Sequence, residues 1–580
     1  MSDSSSDIID AYDRSAGLLA RQYDALPSTC VLGPWLDLLP AAGRDDVTIL
    51  DVGAGSGRDG AYLQSLGFKV VAAEPAAGMR QEGVARQPDL HWIDDRLPDL
   101  SAVHRLGLGF NIVLLSAVWM HVAPQDRARA FRKLVTLLKP GGLILMSLRQ
   151  GPAPDDRPMY PAPVGEVEGL ARDHGLSVLR VTTRADIQER ADVSWTLIAL
   201  QLPDDGSASL PLLRGIILND DKSSTYKLGL LRAITKIADV APSVARSLDD
   251  GDEVALPMGL VALNWLRAYL PLIRAELPQT STNRGVNGLG FAKSGVRSLI
   301  ALGVAAQELR VGATFTGDRA AALLAAVSDV RRTLIDMPMR FTTWPNSQQP
   351  VFAAAGRPTR LKGHVTIDEA FLAAFGELIV PGALWRTMLR LGSWIDPILV
   401  AEWARLTRLY ATRQGVDLPP GRVEAEMIWL DPSRDVSIAR LAALGLRDRS
   451  GALRCVWSGA SLSAETLDID HALPWSAWPC GDLWNLLPSA RRINQHEKRD
   501  KLPSAAALSK AQEPIITWWR QAWLGNPALR ARFQAEARVA LPLQASAAEE
   551  DVFAGLQWRR LRLAQEQMAP EWPGPRQGRL

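Results

Sequence analysis

Asp470 and His471 adjoin within DIDHALPWSAWPCGDLWNLLPSARRINQHEKRDKLPS, which runs from residue 468 to 504. Asn485 follows His471 by 14 residues and Asn494 follows it by 23. Imidazole titrates near neutral pH and can take a proton from water. A carboxylate and an amide oxygen are hard donors suited to Mg²⁺. A base, a divalent cation and groups that hold the strand are what phosphodiester hydrolysis needs. Arg491, Arg492, Lys498, Arg499 and Lys501 crowd around Asn494. Such a cluster holds phosphates without reading base sequence. Successive side chains of a strand alternate sides, so Asp470 and His471 share one site only where the strand bends into a loop. LPWS, with Pro474, supplies that exit.

A second constellation lies more than four hundred residues upstream. DVGAGSG follows the apolar run VTIL and precedes the helical stretch RDGAYLQSL. Gly53, Gly55 and Gly57 permit a tight turn and close approach of backbone to a ligand. The helix beyond aims its N–H groups at the same place. Glu74 ends KVVAAEP, 23 residues after Asp51. An acid there can accept hydrogen bonds from both hydroxyls of a ribose.

The elements around these motifs differ. Residues 1–203 alternate short apolar runs (VTILDVG, KVVAAEP, NIVLLS, LILMSL, LSVLRV, SWTLIALQ) with helical stretches, the pattern of a doubly wound α/β sheet. PDDGSAS then makes a polar link. Residues 210–430 read as mostly helical, with Leu228, Leu231, Ile234 and Ile237 at helical spacing. A Gly-rich, partly basic loop from 283 to 295 interrupts them, and RFTTWPNSQQPVF reads as a short β excursion. No internal repeat is expected. Residues 431–525 hold the Asp-His motif, and 526–580 read as a helical extension.

The 580 residues are too many for one core and suggest about three or four domains. A 47% hydrophobic and 22% charged composition is that of a globular protein, and a net charge of +2 confines any nucleic-acid footprint to a local patch. Three separated cysteines, Cys30, Cys455 and Cys480, rule against a disulfide framework, and the absence of CxxC leaves a zinc knuckle without ligands. MSDSSSDIID lacks the features of a signal peptide, so a cytoplasmic location is expected.

Residues 1 to about 203 resemble the class I S-adenosylmethionine-dependent methyltransferases. DVGAGSG looks like their first motif and LLKPGGLILMSL like the approach to their fifth strand. The resemblance implies S-adenosylmethionine as cofactor, held by Asp51, Gly53, Gly55, Gly57 and Glu74. Met79 would touch the adenine, and either Asp94 or Asp95 would meet its amino group. AYDRSAGLLARQYDAL, with Tyr12 and Tyr23, resembles the lid helix of members that act on small molecules. SAVWMH stands where DNA amino-methyltransferases carry their [DNS]PP[YF] box, and the only Pro-Cys pair is Pro479–Cys480. DNA bases are therefore not the expected acceptor. His121 is either a base toward an oxygen or nitrogen acceptor or a polar residue at the mouth of the sheet.

Residues 450 to about 525 resemble HNH nucleases of the ββα-metal fold, with the spacing of zinc-free HNH domains in CRISPR effector and restriction-like proteins. By that resemblance Asp470 and Asn494 are metal ligands for Mg²⁺ or Mn²⁺ and His471 is the general base. Asn485 shapes the loop and orients the histidine, and Arg491, Arg492, Lys498, Arg499 and Lys501 contact nucleic acid. RCVWSGASL looks like the first hairpin with Ser458 in place of a second cysteine. His496 is an extra ligand, a phosphate contact or merely exposed. Trp475, Trp478, Trp484 and TWWRQAW are base-stacking groups or, the favoured reading, core. Residues 210–430 are a DNA-docking region, with Arg284, Lys293 and Arg297 as phosphate contacts, or a helical spacer. The expected whole is a methyltransferase domain joined to a DNA-cutting HNH domain in restriction or phage defence. The alternatives are a nuclease regulated by S-adenosylmethionine, a single-chain restriction–modification enzyme and a non-catalytic nucleic-acid-binding protein.

Overall fold

The computed structural model describes residues 4–40, 47–154, 157, 159–248, 253–282, 289, 291–345, 347–429, 434–543 and 548–575. Arg284, singled out as a phosphate contact, lies outside them. Two compact units form, Met1–Ala208 and Ser209–Leu580.

In the first unit seven strands make one sheet: β1 Thr48–Val52, β2 Lys69–Ala73, β3 His91–Ile93, β4 Phe110–Leu115, β5 Leu138–Gln150, β6 Ser177–Ala185 and β7 Ser194–Gln201. Their order is β3-β2-β1-β4-β5-β7-β6. β1 to β5 are parallel, and β7 runs antiparallel to β5 and β6. The apolar runs are continuous because both faces are covered. Period-two alternation sends Leu50, Val113, Ile144 and Ile198 to one face, where Phe131 and Leu134 pack on them. Ile49, Ile112, Leu145 and Leu197 go to the other, against Trp35 and Leu63. Strand order reverses between β1 and β4, so the loops leaving their C-terminal ends diverge and open a crevice.

The second unit has two apolar cores. The first spans Leu213 to Met427 with Val539, built on helices Tyr226–Val240, Met258–Arg274, Gly317–Leu334 and Gly382–Arg413. The helical expectation missed a sheet here. β8 Arg246–Leu248, β9 Glu253–Pro257, β11 Ala353–Ala355 and β13 Glu377–Pro381 form an antiparallel sheet in the order β11-β13-β9-β8, while β10 Thr314–Phe315 pairs with β12 Val365–Thr366. β9 and β13 carry EVALP and ELIVP and pair symmetrically, Glu253 opposite Pro381 and Pro257 opposite Glu377. This is a two-fold echo the sequence reading did not find. In both, the proline ends the strand and leads at once into a helix, because proline offers no ladder donor and its fixed φ suits a helix start. The short β excursion expected in RFTTWPNSQQPVF is a single bridge, Thr343 to Pro350, with β11 just after it.

The second core holds β14 Leu467–His471, β15 Leu486–Ala490, the π-helical turn Ile493–Lys498, and the paired segments β16 Leu502–Pro503 and β17 Glu571–Trp572. Trp484, Trp519 and Trp523 are fully buried in it, so these rings are core and not stacking surface. The extension expected to begin at 526 is not separate. Phe533, Val552, Phe553 and Trp572 belong to the same core, and Phe533 and Phe553 both meet Trp519. Two strands and one helical turn bury too little alone.

Glu536 of helix Pro527–Ala540 is sealed into this core. Its carboxylate accepts from the Leu483 N–H at 2.8 Å and from Arg532 Nε at 2.7 Å. Burial, then the neighbouring Asp482 carboxyl, pushes it up to about 7 from an ordinary 4.5. The folded chain therefore binds the extra proton between those values, and stability falls as pH rises through that window. Glu536→Gln keeps the acceptor for Leu483. It is expected to flatten the pH dependence of urea unfolding between pH 5 and 8, a slope on the order of 1 kcal/mol per pH unit. An unchanged slope would contradict the assignment.

Candidate active sites

The crevice above β1 is shaped by glycines in left-handed backbone: Gly53, Gly55 and Gly57 have φ of 67°, 58° and 79°. A Cβ on Gly53 would come within 2.7 Å of Val118, and one on Gly57 within 2.7 Å of Trp92. Only glycine satisfies both the sign of φ and the space. Glu74, at the end of β2, is buried and bridges the loop, accepting from Gly55 N–H at 2.8 Å and Ala76 N–H at 2.9 Å. Burial raises its pKa against those two donors. Asp51 is also buried. Desolvation, then the charge of Asp59, holds its carboxyl well above the usual range, and its Oδ2 has no partner.

These groups line a cavity of about 310 Å³. The pair Asp94 and Asp95 separates. Asp95 lines the cavity, accepting from Arg96 N–H and Val103 N–H, whereas Asp94 is 70% exposed and paired with Arg80. Met79 is fully buried with Ala16, Leu19 and Ala76, against the glycine loop, its methyl 3.6 Å from where a Cβ on Gly55 would stand. Tyr12, on helix Ser4–Arg14, meets His121 Nε2 at 3.1 Å, and both line the cavity with Tyr23. A further part of the lining was missed by sequence reasoning: Arg149 on β5, Arg157, Arg184 on β6, and Asp186 and Arg190 before β7. Arginines at the ends of LILMSLRQ and LSVLRVTTR were the available signal, since both strands end at one rim.

In the second unit the expected site is built differently from its expectation. Asp468 and Asp470 are two apart on β14 and Asn494 and Lys498 four apart on the helical turn, so strand and turn meet as a ladder. Asn494 Nδ2 donates to Asp468 at 3.0 Å, and Gln495 does likewise. Lys498 Nζ donates to Asp470 at 3.0 Å and to the His471 carbonyl at 2.7 Å. Trp457 Nε1 donates to the second Asp470 oxygen at 2.8 Å. Two expectations are corrected. Lys498 has no exposed surface and is the counter-ion of Asp470, not a phosphate contact. Asp470 is 2% exposed with its oxygens engaged by Lys498 and Trp457, so it stands inside the ladder rather than at its open end. Asp468, half-buried and against Asn494, is the acid that was overlooked, although DID places both acids on one strand face.

His471 ends β14 on the other side of the strand, its ring edge-on to Trp475 at 5.3 Å between centroids. It is 4% exposed, and its Nε2 is buried without a partner. Burial, then the charges of Arg434 and Lys498, pushes it down to about 4. Asn485 fixes the loop between the strands: Oδ1 accepts from Leu473 N–H at 2.8 Å and Nδ2 donates to Cys480 O at 2.9 Å. Arg491, Arg492, His496 and Arg499 are exposed and Lys501 half-buried, with Arg492 paired to Glu497. Cys455 and Cys480 are free and buried. Among the described residues no three His, Cys, Asp or Glu side chains gather as a metal-holding group. The donor set at the open end of the ladder still fits a hard divalent cation in kind. Asp468 and Asn494 carry a carboxylate and an amide oxygen there, and a carboxylate accepts at about four positions, of which Asp468 already uses three, for the Ile469 N–H and the Asn494 and Gln495 amides.

Residues 49–142 match the family described as Methyltransferase domain, residues 455–504 match HNH endonuclease, and residues 206–427 match Domain of unknown function (DUF8808). A malonyl-[acyl-carrier protein] O-methyltransferase of Salmonella typhimurium is 29% identical over 155 residues, 26% of this chain and 54% of that protein. The chain thus spans about half the length of that curated relative. Among solved structures, a Burkholderia thailandensis 1,6-didemethyltoxoflavin-N1-methyltransferase is 18% identical, with TM-score 0.28, covering 34% of this chain and 87% of that one. A TehB-like S-adenosylmethionine-dependent methyltransferase of Corynebacterium glutamicum is 16% identical, with TM-score 0.25, covering 34% and 100%. By the family matches, the first unit contains a methyltransferase domain, and the second contains a segment matching HNH endonuclease. No helix among the described residues is long and apolar enough to cross a membrane.

The ladder makes a direct prediction. Lys498→Met leaves Asp470 buried without its counter-ion and is expected to cost about 3–5 kcal/mol of stability. Adding Asp470→Asn in the same chain should recover much of that loss, as read from urea unfolding of the full chain by tryptophan fluorescence. A neutral effect of Lys498→Met alone would refute the buried pair.

Proposed function

We propose that this protein is a methyltransferase and a metal-dependent endonuclease on one chain, acting on DNA through its second unit in restriction or phage defence. The observation that carries the nuclease half is His471. Its Nε2 is desolvated and has no partner among the described residues, at the end of the strand that also carries Asp468 and Asp470. A buried ring atom without a partner is costly unless a substrate or water completes it.

Burial keeps the imidazole neutral at physiological pH, so its lone pair is available to accept a proton from water. A divalent cation held by Asp468 and Asn494, with Asp470 behind them, would stabilise charge on the phosphate and its leaving oxygen. Asn485 holds the loop that carries Leu473 and so fixes the exit of β14 after His471. Arg491, Arg492 and Arg499 present charge for the phosphate backbone.

In the first unit S-adenosylmethionine would supply an electrophilic methyl group. Glu74 and the glycine loop suit its ribose and Asp95 the adenine end, by the logic of nucleotide folds. Tyr12 and His121 close the cavity from the lid side, where His121 is placed to hold a proton released by the acceptor. The missing base-flipping box argues for an acceptor other than DNA bases, and the curated relative's oxygen acceptor supports an oxygen nucleophile.

Plasmid nicking by the full chain in Mg²⁺ or Mn²⁺ tests the nuclease. Wild type is expected to cut, and His471→Ala to cut at least about 100-fold more slowly. No cutting in either metal would end this reading. Cutting that requires S-adenosylmethionine would instead support regulation by the cofactor. Calorimetry with S-adenosylhomocysteine tests the other half, and Glu74→Ala should weaken binding roughly ten-fold or more. Unchanged binding would remove Glu74 from the cofactor site.

A further inference from the structure

The cavity of the first unit has acids gathered at one set of strand ends and arginines at another, though Arg58 and Arg96 also line it and Asp186 stands among the arginines. Acids stand at the ends of β1, β2 and β3, where Asp51, Glu74 and Asp95 lie. Arginines stand at the rim of β5, β6 and β7. Arg149 is opposite Trp195 in the β5–β7 ladder, and Arg184 is opposite the same residue from β6. Strand spacing of about 4.8 Å puts β5 on the order of 10 Å from β1, the reach of a second molecule beside a bound nucleoside.

What singles out Arg149 is the way it is buried. It is 8% exposed, and its Nη1 donates to two carbonyls, Gly151 O at 3.3 Å and Pro152 O at 2.7 Å. Both acceptors are neutral. The carboxylate near it, Asp186, accepts from Arg190 Nε and Nη2, each at 2.8 Å, and from Trp195 Nε1 at 2.8 Å. Arg184 repeats the pattern. It donates to Cys30 O at 2.7 Å, and its buried Nε has no partner. Among the described residues no carboxylate pairs with either. Arg157 adds a third guanidinium to the cavity lining, over the Tyr12 ring at 5.6 Å and donating to the Tyr23 hydroxyl at 3.4 Å. Withdrawing guanidinium charge from water against carbonyls alone is unfavourable, and an anion that enters the cavity relieves it. A sulfonium cofactor cannot be that anion through its reacting end, since like charges repel.

We infer that the methyl acceptor of the first unit is a small carboxylate-bearing molecule whose carboxylate is bound by Arg149, with Arg184 and Arg157 beside it. The inference rests on the methyltransferase reading above and adds the substrate class. A guanidinium fork matches a carboxylate with two parallel hydrogen bonds, which an amide or an ester cannot reproduce.

The test is calorimetric titration of the full chain, first with S-adenosylhomocysteine and then, on the loaded protein, with malonate, succinate, glutarate and benzoate. The amides of the same acids serve as controls. At least one acid is expected to bind where its amide does not. Arg149→Gln should weaken that binding roughly ten-fold or more, and Arg149→Lys, which keeps charge but loses the fork, should fall between. Affinity for S-adenosylhomocysteine should stay at the wild-type value in both variants. Acids that bind no better than amides, or equally well to Arg149→Gln, would overturn the inference while leaving the methyltransferase reading intact. Loss of S-adenosylhomocysteine binding in Arg149→Gln would overturn it too, by assigning the arginine to the cofactor's own carboxylate. Failure of wild type to bind S-adenosylhomocysteine at all would defeat the underlying reading and the inference with it.

Discussion

A carboxylate taken out of water must be met by hydrogen-bond donors or a counter-ion, and this chain meets that demand in several places. Asp470 takes the ammonium of Lys498 and the indole N–H of Trp457. Glu74 takes two backbone amides. Glu536 takes Arg532 and the amide of Leu483. In each case one of the bonds ties together segments apart in sequence: a strand to a helical turn, a glycine loop to the end of the next strand, the last helices to the loop before β15. Losing one partner strands the other in a low-dielectric interior, so these contacts fix geometry more firmly than their net energy suggests.

The same constraint separates scaffold from site. Where burial is fully compensated, as at Asp470 and Lys498, the group organises the fold. Where it is not, as at His471 Nε2 and the guanidinium of Arg149, the protein leaves a demand that something else can satisfy. The π-helical turn Ile493–Lys498 shows how the two are joined. Four residues separate Asn494 from Lys498, and that spacing lets one side chain reach Asp468 at the open end while the other reaches Asp470 inside. A wider helical turn at a functional site is a familiar way to aim two groups at once.

Much of this was legible from residue order. Continuous apolar runs marked the first sheet because strands covered on both faces need no polar alternation. The Gly53, Gly55 and Gly57 spacing marked the crevice because only glycine tolerates those backbone angles. His471, Asn485 and Asn494 marked the nuclease-like motif. The middle sheet was not legible: EVALP and ELIVP are five-residue strands that run straight into long helices, so the helical period swamps theirs. Lys498 was misread because a basic run looks like surface, and only the three-dimensional position of Asp470 shows that one lysine of the run turns inward. The arginines at the rim of β5, β6 and β7 came from four separate stretches that meet only when those strands pair.

The proposed metal-dependent cutting requires that the ladder of β14 and the helical turn act as a cation site whose open end is Asp468 and Asn494. Titration of the full chain with Mn²⁺, monitored by electron paramagnetic resonance, measures this directly. One bound ion per chain is expected in wild type, weakened by roughly ten-fold or more in Asp468→Asn and in Asn494→Ala. Binding that is absent in wild type, or untouched by both substitutions, would contradict it.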